Sequence, residues 1–341
     1  MPSAEPAPFD HQRAYDAVMV VSFGGPEGPD DVIPFLENVV RGSNVGRSRL
    51  ERVAEHYLHF GGVSPINAQN RALIAALEEE LGAHGPRLPV YWGNRNWAPY
   101  LRDTLARMEA DGVRRALAFV TSAYSSYSGC RAYLDDIEAA RAALGGRAPV
   151  VDKIRAYFDD PGFVAANAER LRVALVEAGP GAEVLFSAHS IPESMAACCP
   201  YETQLQATAG LVAAGAGLAS SPRVVYQSRS GPPGQAWLGP DVADAVRALP
   251  AGTPAVVVAP IGFVSDHMEV VYDLDVELAA VAADRGIRLV RAGTAGTHPA
   301  FVAGIRQLIA ERCDPSLRRP GLSTLDPAPD SCPIDHCPRG A

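Results

Sequence analysis

Short apolar runs alternate with longer amphipathic segments along this chain, and the alternation restricts the folds open to it. Nearly continuous runs of Val, Ile, Leu and Ala are typical of strands buried on both faces of a parallel sheet. Segments with helical periodicity occur at 67–85, 97–112, 161–179 and 298–313. The apolar runs occur at residues 17–23, 89–94, 115–122, 182–190, 223–228, 255–260 and 287–292.

The order of strands and helices repeats, which predicts an α/β fold of two Rossmann-like, doubly wound parallel-sheet halves. Ligands of open parallel sheets bind beyond the carboxyl ends of the strands, so we expect the active cleft between the halves. The predicted division is a loose N-terminal tail (1–13), a first half (14–150), a second half (151–312) whose last helix is free to pack back on the first, and a cysteine-bearing C-terminal tail (313–341).

The charge balance narrows the possible partners. The chain has 30 basic and 39 acidic residues, a net charge of −9. An acidic chain without a basic run is poorly suited to nucleic acids and anionic membranes. The N-terminal segment lacks the pattern of a signal peptide, and the apolar runs are too short to span a bilayer. We therefore predict a soluble, cytoplasmic protein with no nucleic-acid partner and no membrane insertion.

The segment GFVSDHMEVVYDLDVEL, residues 262–278, follows a predicted buried strand. Six acids and no Lys or Arg occur from residue 262 to residue 284. Glu269, Asp273 and Glu277 are spaced by four residues, so on a helix they form one stripe. Divalent cations prefer carboxylate oxygens, which makes the stripe a candidate path for a metal ion. A solvated acidic helix face is the alternative interpretation.

His189 lies in SAHSIP, where another predicted strand ends. A neutral imidazole at such a position can accept a proton or bind a metal, although a lone histidine is more often structural. We interpret the nearby His267 as a structural or supporting residue. The sequence contains no G-x-S-x-G elbow, no G-x-G-x-x-G and no Walker loop, which disfavours a serine hydrolase and a nucleotide-binding protein.

Five motifs in order, HFGGVSPINAQN, TSAYSSYS, SAHSIP, QSRSGPPGQAWLGPD and GFVSDHMEVVYDLD, resemble the ferrochelatase family. The resemblance extends from about Asp16 to about Glu311. It implies a lyase of heme biosynthesis that inserts Fe²⁺ into a porphyrin held between two Rossmann-like halves. The implied site residues are His189 and Glu269 (catalytic and metal-binding), Asp273 and Glu277 (metal-binding), and Phe23, Ser64 and Tyr133 (porphyrin-binding).

Two residues depart from the family's bacterial pattern. Phe23 stands where some relatives have a tyrosine over the macrocycle, and Asn96 where some have a histidine. Residues 41–60 are mostly polar and charged, unlike the apolar lip of membrane-associated relatives. Aromatic side chains that could flank the ring are Trp97, Tyr124, Tyr127 and Trp237.

The resemblance to Gram-positive relatives implies coproporphyrin III as substrate and coproheme as product. The candidate partners of its propionates are Arg41, Arg47, Arg49 and Arg229. A protoporphyrin IX ferrochelatase, a cobalt chelatase and a non-catalytic tetrapyrrole carrier are the alternatives, with a metal-dependent hydrolase more remote. Transient contacts with neighbouring heme-pathway enzymes are also expected.

The six cysteines complete the sequence-based predictions. Some ferrochelatases hold a [2Fe–2S] cluster with one mid-chain cysteine and three near the end, and four thiolates are the required set. That resemblance implies the ligands Cys130, Cys313, Cys332 and Cys337. A zinc site that includes His336, or free thiols, are the alternatives. The adjacent Cys198 and Cys199 are predicted to be free thiols.

Overall fold

The computed structural model describes residues 15–42, 45–219, 221–231, 234–332 and 337–338. The N-terminal tail predicted at residues 1–13 and His336 lie outside the described residues. The chain forms two four-stranded parallel sheets with flanking helices. The predicted α/β fold with two doubly wound halves is therefore confirmed.

The two sheets have the same topology. The strands are β1 Ala17–Ser22, β2 Val90–Asn94, β3 Arg115–Val120, β4 Val150–Lys153, β5 Glu183–His189, β6 Val224–Gln227, β7 Ala255–Ala259 and β8 Arg288–Arg291. The first sheet has the strand order β2-β1-β3-β4 and the second has β6-β5-β7-β8. In each sheet the strand order reverses between the first and third strands of that half, and such a switch point opens a crevice at the carboxyl ends of the parallel strands.

The helices cover the faces of both sheets. They are α1 Val32–Val39, α2 Arg47–His59, α3 Ile66–His84, α4 Leu101–Ala110, α5 Ala132–Leu144, α6 Pro161–Ala178, α7 Glu193–Ala196, α8 Tyr201–Gly215, α9 Val242–Arg247, α10 Met268–Tyr272, α11 Ala279–Asp284 and α12 Pro299–Cys313. A 3₁₀ turn covers Pro29–Asp31, and π-helical turns cover Tyr127–Arg131 and Asp273–Leu278. Within the described parts of the chain, no helix combines the length and the apolar character needed to cross a membrane.

Helix starts follow from local chemistry. At the start of α6 the Asp160 side chain accepts hydrogen bonds from the backbone N–H groups of Gly162 (2.9 Å) and Phe163 (3.0 Å). Pro161 occupies the first helical position, where its missing N–H costs nothing. The four segments predicted to be helical overlap α3, α4, α6 and α12, and α3 begins one residue earlier than predicted.

Strand β4 was missed by the sequence analysis. It carries only two apolar residues, Val150 and Val151, before the polar Asp152 and Lys153. It pairs with β3 at the edge of the first sheet, and Asp152 accepts a 2.8 Å ion-pair contact from Arg115. An edge strand can be half polar, so its run was too short to recognise. The first sheet thus extends to residue 153, beyond the predicted boundary at residue 150.

A single apolar core joins the two halves. Phe119 on β3 stacks on Tyr157 (5.1 Å between ring centroids), and Phe301 on α12 lies 6.3 Å from Phe119 and 5.5 Å from Phe163. Phe186 on β5 belongs to the same buried cluster. Helix α12 packs on both α6 and α3, so the last helix contacts elements of both halves.

The C-terminal segment is irregular but is held on the protein. Arg155 forms an ion pair with Glu311 (3.1 Å) that is almost fully buried, and it donates a hydrogen bond to the carbonyl of Pro320 (3.0 Å). Ser323 Oγ donates to Asp159 (2.6 Å), and Asp330 pairs with Arg312 (2.8 Å). Side chains of the body therefore fix the path of the tail as far as residue 330.

Candidate active site

His189 is the last residue of β5, so its ring emerges at the carboxyl end of the second sheet. Its Nδ1–H donates to the carbonyl of Ser190, and Tyr201 Oη donates to the carbonyl of His189 itself (2.9 Å). These contacts fix the ring and direct Nε2 toward Glu269 Oε2, 3.5 Å away. The predicted histidine and glutamate are thus neighbours, although 80 residues separate them in sequence.

Glu269 lies in the first turn of α10, which follows β7 through a short connection. Gln227 at the end of β6 donates to the Glu269 carbonyl (2.5 Å), and His267 Nδ1 lies 3.9 Å from Glu269 Oε2. Strands β5, β6 and β7 are adjacent in the sheet, so three strand ends converge here. His267, expected to be a supporting residue, contacts the carboxylate.

The pKa values of the pair shift in opposite directions. Burial opposes the charge of His189, but Glu269 and the Ser190 carbonyl outweigh burial and raise its pKa to about 9. Burial likewise opposes the charge of Glu269, yet His189 and His267 lower its pKa to about 2. At neutral pH the substrate-free site therefore holds an imidazolium next to a carboxylate.

Asp273 and Glu277 continue from Glu269 away from the histidine. The predicted stripe does not lie on one α-helix. Glu269 lies in α10, whereas Asp273 and Glu277 lie in the π-helical turn Asp273–Leu278. π-helical turns are rare and occur often at functional sites. A cavity of about 440 Å³ is lined by Asp273, Glu277 and Ser228 but not by Glu269. Glu269, Asp273 and Glu277, which we call the acid row, therefore connect this cavity to the His189–Glu269 pair.

Asp273 titrates in an unusual range. Burial raises the pKa of this carboxyl, and the charges of Glu269 and Glu277 raise it further, to about 7. A hydrogen bond from Ser228 Oγ opposes the rise. Ser228 has a φ of +61°, a conformation that non-glycine residues seldom adopt. The carboxyl can thus gain or lose a proton near neutral pH.

Four of the six acids of this segment fall into two groups. Asp266 and Asp275 both pair with Arg291 on β8, at 3.1 Å and 2.7 Å. These two acids therefore have a basic partner, which comes from the neighbouring strand and not from the acidic segment itself. Glu269 faces imidazoles and Asp273 faces a hydroxyl, so those carboxylates are the ones placed to accept a cation.

Phe23 and Ser64 lie together at the first sheet's switch point. Phe23 follows β1, and both the backbone N–H (3.1 Å) and side chain (3.3 Å) of Asn96 donate to its carbonyl. Ser64 is buried, and its N–H donates to Pro26 O (2.9 Å). A Cβ on Gly25 would lie 2.7 Å from the Cβ of Ser64, so the glycine permits the two turns to pack. The two departures from the family pattern, Phe23 and Asn96, are direct neighbours.

Tyr133 is in a different environment. It is buried in the core cluster of the first half, with Arg95 4.5 Å above its ring. Burial raises its pKa, and Arg95 opposes the rise. The described contacts do not bring it to His189 or Glu269. Tyr124 is likewise a core residue, since it is buried and donates a hydrogen bond to the Ile261 carbonyl (2.8 Å).

The remaining aromatic candidates pack in three different environments. Trp97 lies against Phe35 at 6.3 Å between ring centroids, next to the cluster that contains Phe23. The backbone of Trp237 forms an isolated antiparallel β-bridge with Pro192, and its indole N–H donates a hydrogen bond to Gln235 Oε1 (3.2 Å). Tyr127 packs at the margin of the shared core.

The candidate arginines differ in their contacts. Arg47 pairs with Glu37 (2.7 Å) and Glu51 (3.2 Å). Arg49 donates to the Ser230 carbonyl across the cleft, Arg229 donates to the Gln235 carbonyl (2.8 Å), and Arg41 donates to Asn38. A backbone carbonyl carries no net charge, so these contacts do not neutralise Arg49 and Arg229.

Helix α2 brings a contribution that the sequence analysis missed. His56 stacks on Tyr272, the residue before Asp273, with ring centroids 3.8 Å apart. The next residue, Tyr57, packs on Phe35, and burial with the nearby charges of Glu269 and Asp273 raises the pKa of its phenol. The adjacent rings of His56 and Tyr57 could have indicated such a contact, but the segment around them is mostly polar and was not considered.

The six cysteines differ in exposure. Cys130 in the first π-helical turn and Cys332 are half-buried, Cys337 is buried, and Cys313 is exposed at the end of α12. Cys198 is exposed, whereas Cys199 is half-buried. Among the residues that the structure describes, no three His, Cys, Asp or Glu side chains surround a single metal position.

Two parallel sheets of equal topology, with a histidine and a row of carboxylates at the switch point, define a chelatase-type α/β protein. Solved structures agree with this class at the level of fold. The sirohydrochlorin chelatase SirB from Bacillus subtilis subspecies spizizenii has a TM-score of 0.51 at 13% identity, covering 87% of this chain and 94% of that one. CbiX, described as the terminal enzyme of siroheme biosynthesis in denitrifying bacteria, has a TM-score of 0.50 at 17% identity, covering 89% and 100%.

The family model for ferrochelatase matches residues 15–313. A ferrochelatase from Rhodopirellula baltica is 54% identical over 95% of this chain and 93% of its own length. A coproporphyrin III ferrochelatase from Frankia alni is 53% identical over 95% and 86%, respectively. The chain belongs to the ferrochelatase family. The predicted family and enzyme class, a lyase of porphyrin and heme biosynthesis with Fe²⁺ as substrate, are confirmed.

Proposed function

We propose that this protein inserts Fe²⁺ into coproporphyrin III to give coproheme. The observation that carries the proposal is the His189–Glu269 pair, 3.5 Å apart at the switch point, with the acid row leading away from it. The names of the relatives from Frankia alni and Streptomyces griseus support coproporphyrin III as the substrate. The four propionates of this porphyrin suit the arginines that surround the cleft.

The residues of the pair would divide the chemistry. Fe²⁺ bound by Glu269 would repel the proton on His189 and lower the pKa of the imidazole, since both cations compete for the same carboxylate. The neutral Nε2 would then accept a pyrrole proton. As the Fe–N bonds form, two pyrrole protons must leave, and the acid row offers them a path to the cavity beside Asp273 and Glu277.

The porphyrin would lie against the first half. Phe23 and Ser64 are at the carboxyl end of β1, at the same side of the cleft as Trp97. Phe23 has no hydroxyl, so it would pack on the ring and cannot supply an axial oxygen ligand. A porphyrin contact by Tyr133 stays a prediction, and its buried position beside Arg95 would place it behind the surface of the cleft.

The test is anaerobic Fe²⁺ insertion into coproporphyrin III and protoporphyrin IX, compared for the wild type, Glu269→Gln and Asp275→Asn. We expect coproporphyrin III to be metallated faster, and Glu269→Gln to lose at least about 100-fold in rate. Asp275→Asn is the matched control, an acid of the same segment that pairs with Arg291. Faster metallation of protoporphyrin IX would contradict the proposal that coproporphyrin III is the substrate. Tight porphyrin binding without metallation by the wild type would indicate a carrier.

We also propose that the protein holds a [2Fe–2S] cluster in the region where the tail meets the body. Four thiolates are the usual ligands of such a cluster. The ligands that the family resemblance implies are Cys130, Cys313, Cys332 and Cys337, of which Cys130 and Cys332 are half-buried, Cys337 is buried and Cys313 is exposed. A bound cluster would link the tail covalently to the body through Fe–S bonds. Zinc in place of the cluster, or free thiols, would be distinguished by metal and sulfide analysis.

The cytoplasmic location and the transient contacts with heme-pathway enzymes stay predictions. The acidic composition supports the prediction that nucleic acids are not partners.

A further inference from the structure

Helix α10, which carries Glu269 in its first turn, begins without a side-chain cap. Its N-cap residue is His267, whose side chain makes no capping hydrogen bond. The first N–H groups of a helix have no partner within the helix, and a side chain at the N-cap usually binds one of them. The position of this first turn therefore depends on the contacts that other elements make with the residues just before it.

Asp266, the residue before His267, is contacted by three separate elements. On the second half, Arg291 on β8 pairs with its carboxylate (3.1 Å), and Thr294 Oγ1 donates a hydrogen bond to the same carboxylate (3.2 Å). On the first half, the side-chain oxygen of Gln69 on α3 accepts a hydrogen bond from the backbone N–H of Asp266 (2.8 Å). This contact joins the first half directly to the backbone that leads into α10.

The start of α3 is itself bound to the turn that follows β1. Asn67 and Asn70, near the start of this helix, are both fully buried. Asn67 Nδ2 donates to the carbonyl of Gly25 (2.9 Å), and Asn70 Nδ2 donates to Ser22 Oγ (2.7 Å). Ser22 ends β1, and Phe23 follows it. The same stretch of α3 is therefore held on the turn that would face the porphyrin.

The hydrogen bond between Gln69 and Asp266 thus joins the two sides of the cleft. Insertion of a metal requires the ligand that delivers it to lie at a defined distance from the ring. A displacement of about 1 Å from a reactive geometry can lower a rate about 100-fold. Asp266 precedes Glu269 by three residues, so loss of this hydrogen bond would reach the carboxylate through the backbone. The amide oxygen of Gln69 is neutral, so the contact adds no charge beside the acid row.

We infer that Gln69 is a positioning residue for metal insertion, and that its hydrogen bond with Asp266 sets the distance of Glu269 from the porphyrin surface of the first half. The inference rests on the function proposed above, because it assumes that Fe²⁺ passes from Glu269 to a ring held by the first half. Loss of the hydrogen bond lowers kcat and leaves porphyrin affinity nearly unchanged, because Asn67 and Asn70 hold the turn after β1 without it.

The test compares Gln69→Leu with Gln69→Glu. Leucine has about the size of glutamine but no acceptor, whereas glutamate keeps an oxygen for the Asp266 N–H. The measurements are kcat and KM for anaerobic Fe²⁺ insertion into coproporphyrin III and protoporphyrin IX, and the porphyrin Kd from fluorescence quenching. Gln69→Leu should lower kcat by about 10- to 100-fold and change the porphyrin Kd by less than about threefold. Gln69→Glu should keep kcat within about threefold of the wild type.

Gln206→Leu is the matched control, since it makes the same change at an exposed position on α8 and should keep wild-type values. A wild-type kcat in Gln69→Leu would overturn the inference, as would an equal loss of kcat in both Gln69 variants. A porphyrin Kd weakened as much as kcat would also overturn it and assign Gln69 to ring binding. Far-ultraviolet circular dichroism and urea unfolding should agree for all four proteins.

The two porphyrins separate this inference from the proposed function. Metallation of protoporphyrin IX alone, with the loss of kcat in Gln69→Leu, would overturn the proposed substrate and leave the role of Gln69 in place. Metallation of coproporphyrin III at an equal rate by the wild type and Gln69→Leu would do the reverse. A wild type that metallates neither porphyrin would overturn both.

Discussion

His56 on α2 stacks on Tyr272 on α10, with ring centroids 3.8 Å apart and ring planes 10° from parallel. The contact joins an element of the first half to the helix that carries Glu269. A second contact, from Arg49 to the carbonyl of Ser230, spans the same gap. Helix α2 therefore lies against the segment that carries Glu269 and Asp273 in the substrate-free protein. We expect a flat ligand to displace it.

His56→Ala should accelerate porphyrin association. Aromatic pairs contribute about 0.5–1.5 kcal/mol beyond their buried area, so losing this stack should favour the open cleft by up to about tenfold. Stopped-flow quenching of porphyrin fluorescence measures the association rate. His84→Ala, at the exposed end of α3, is the control. An unchanged association rate in His56→Ala would show that α2 does not limit access.

The rate of metallation should rise with pH around neutrality, because Asp273 loses its proton in that range. Its pKa of about 7 means that the carboxyl is mostly neutral below that pH and binds cations only above it. Asp273→Asn should abolish this part of the pH–rate profile of kcat/KM for Fe²⁺. Asp244→Asn, a carboxylate paired with Arg247 on the surface, should retain it. A profile of wild-type shape in Asp273→Asn would assign the titration to another group.

The same carboxyl should also affect stability. Because the folded pKa of Asp273 is raised, the folded state binds its proton more tightly than the unfolded state does. Its contribution to stability therefore falls as the pH rises from about 4 to about 7. Asp273→Asn should gain stability relative to the wild type at pH 8 compared with pH 5. Urea unfolding at both pH values measures the difference, and a difference independent of pH would contradict the raised pKa.

The arginines around the cleft should discriminate between porphyrins. Arg49 and Arg229 hydrogen-bond backbone carbonyls, whereas Arg47 is offset by two glutamates. Arg49→Ala should raise the KM for coproporphyrin III, which has four propionates, more than the KM for protoporphyrin IX, which has two. Arg47→Ala should change both little, since exposed pairs contribute about 1 kcal/mol or less. Equal effects of Arg49→Ala on both porphyrins would argue against a propionate contact.

The buried pair of Arg155 and Glu311 should be costly to break but not to replace. Their side chains are 1% and 2% exposed, so removing one partner leaves an uncompensated buried charge. Arg155→Met should lower the free energy of unfolding by about 3–5 kcal/mol. The double variant Arg155→Met/Glu311→Leu should recover much of that loss, as measured by urea unfolding. A double variant as unstable as the single one would assign the cost to the Pro320 contact instead.

Much of the fold could be predicted from local pattern, because parallel strands are apolar on both faces and follow helices in a fixed order. Strand β4 could not, since Asp152 finds its partner Arg115 only after the sheet forms. The same limit applied to the acids. The sequence shows Asp275 only as one of six acids in a segment without Lys or Arg, and folding brings Arg291 to it.

The closeness of His189 and Glu269 could be predicted, because both follow parallel strands whose carboxyl ends meet at one edge of a sheet. Their roles in the reaction stay a prediction. The position of Tyr57 could not be predicted, because its contact with Phe35 and its closeness to Glu269 and Asp273 depend on packing between distant segments.

The single core shared by the two halves has a mechanical consequence. Phe119, Phe186 and Phe301 belong to one buried cluster, so a hinge between the halves would expose that cluster to water. Burial of apolar area at roughly 25 cal/mol per Å² makes such a rotation expensive. The two halves should therefore keep their relative orientation when the substrate enters, and helix α2 should be the element that moves. Its radius of gyration in solution scattering should stay the same when porphyrin binds.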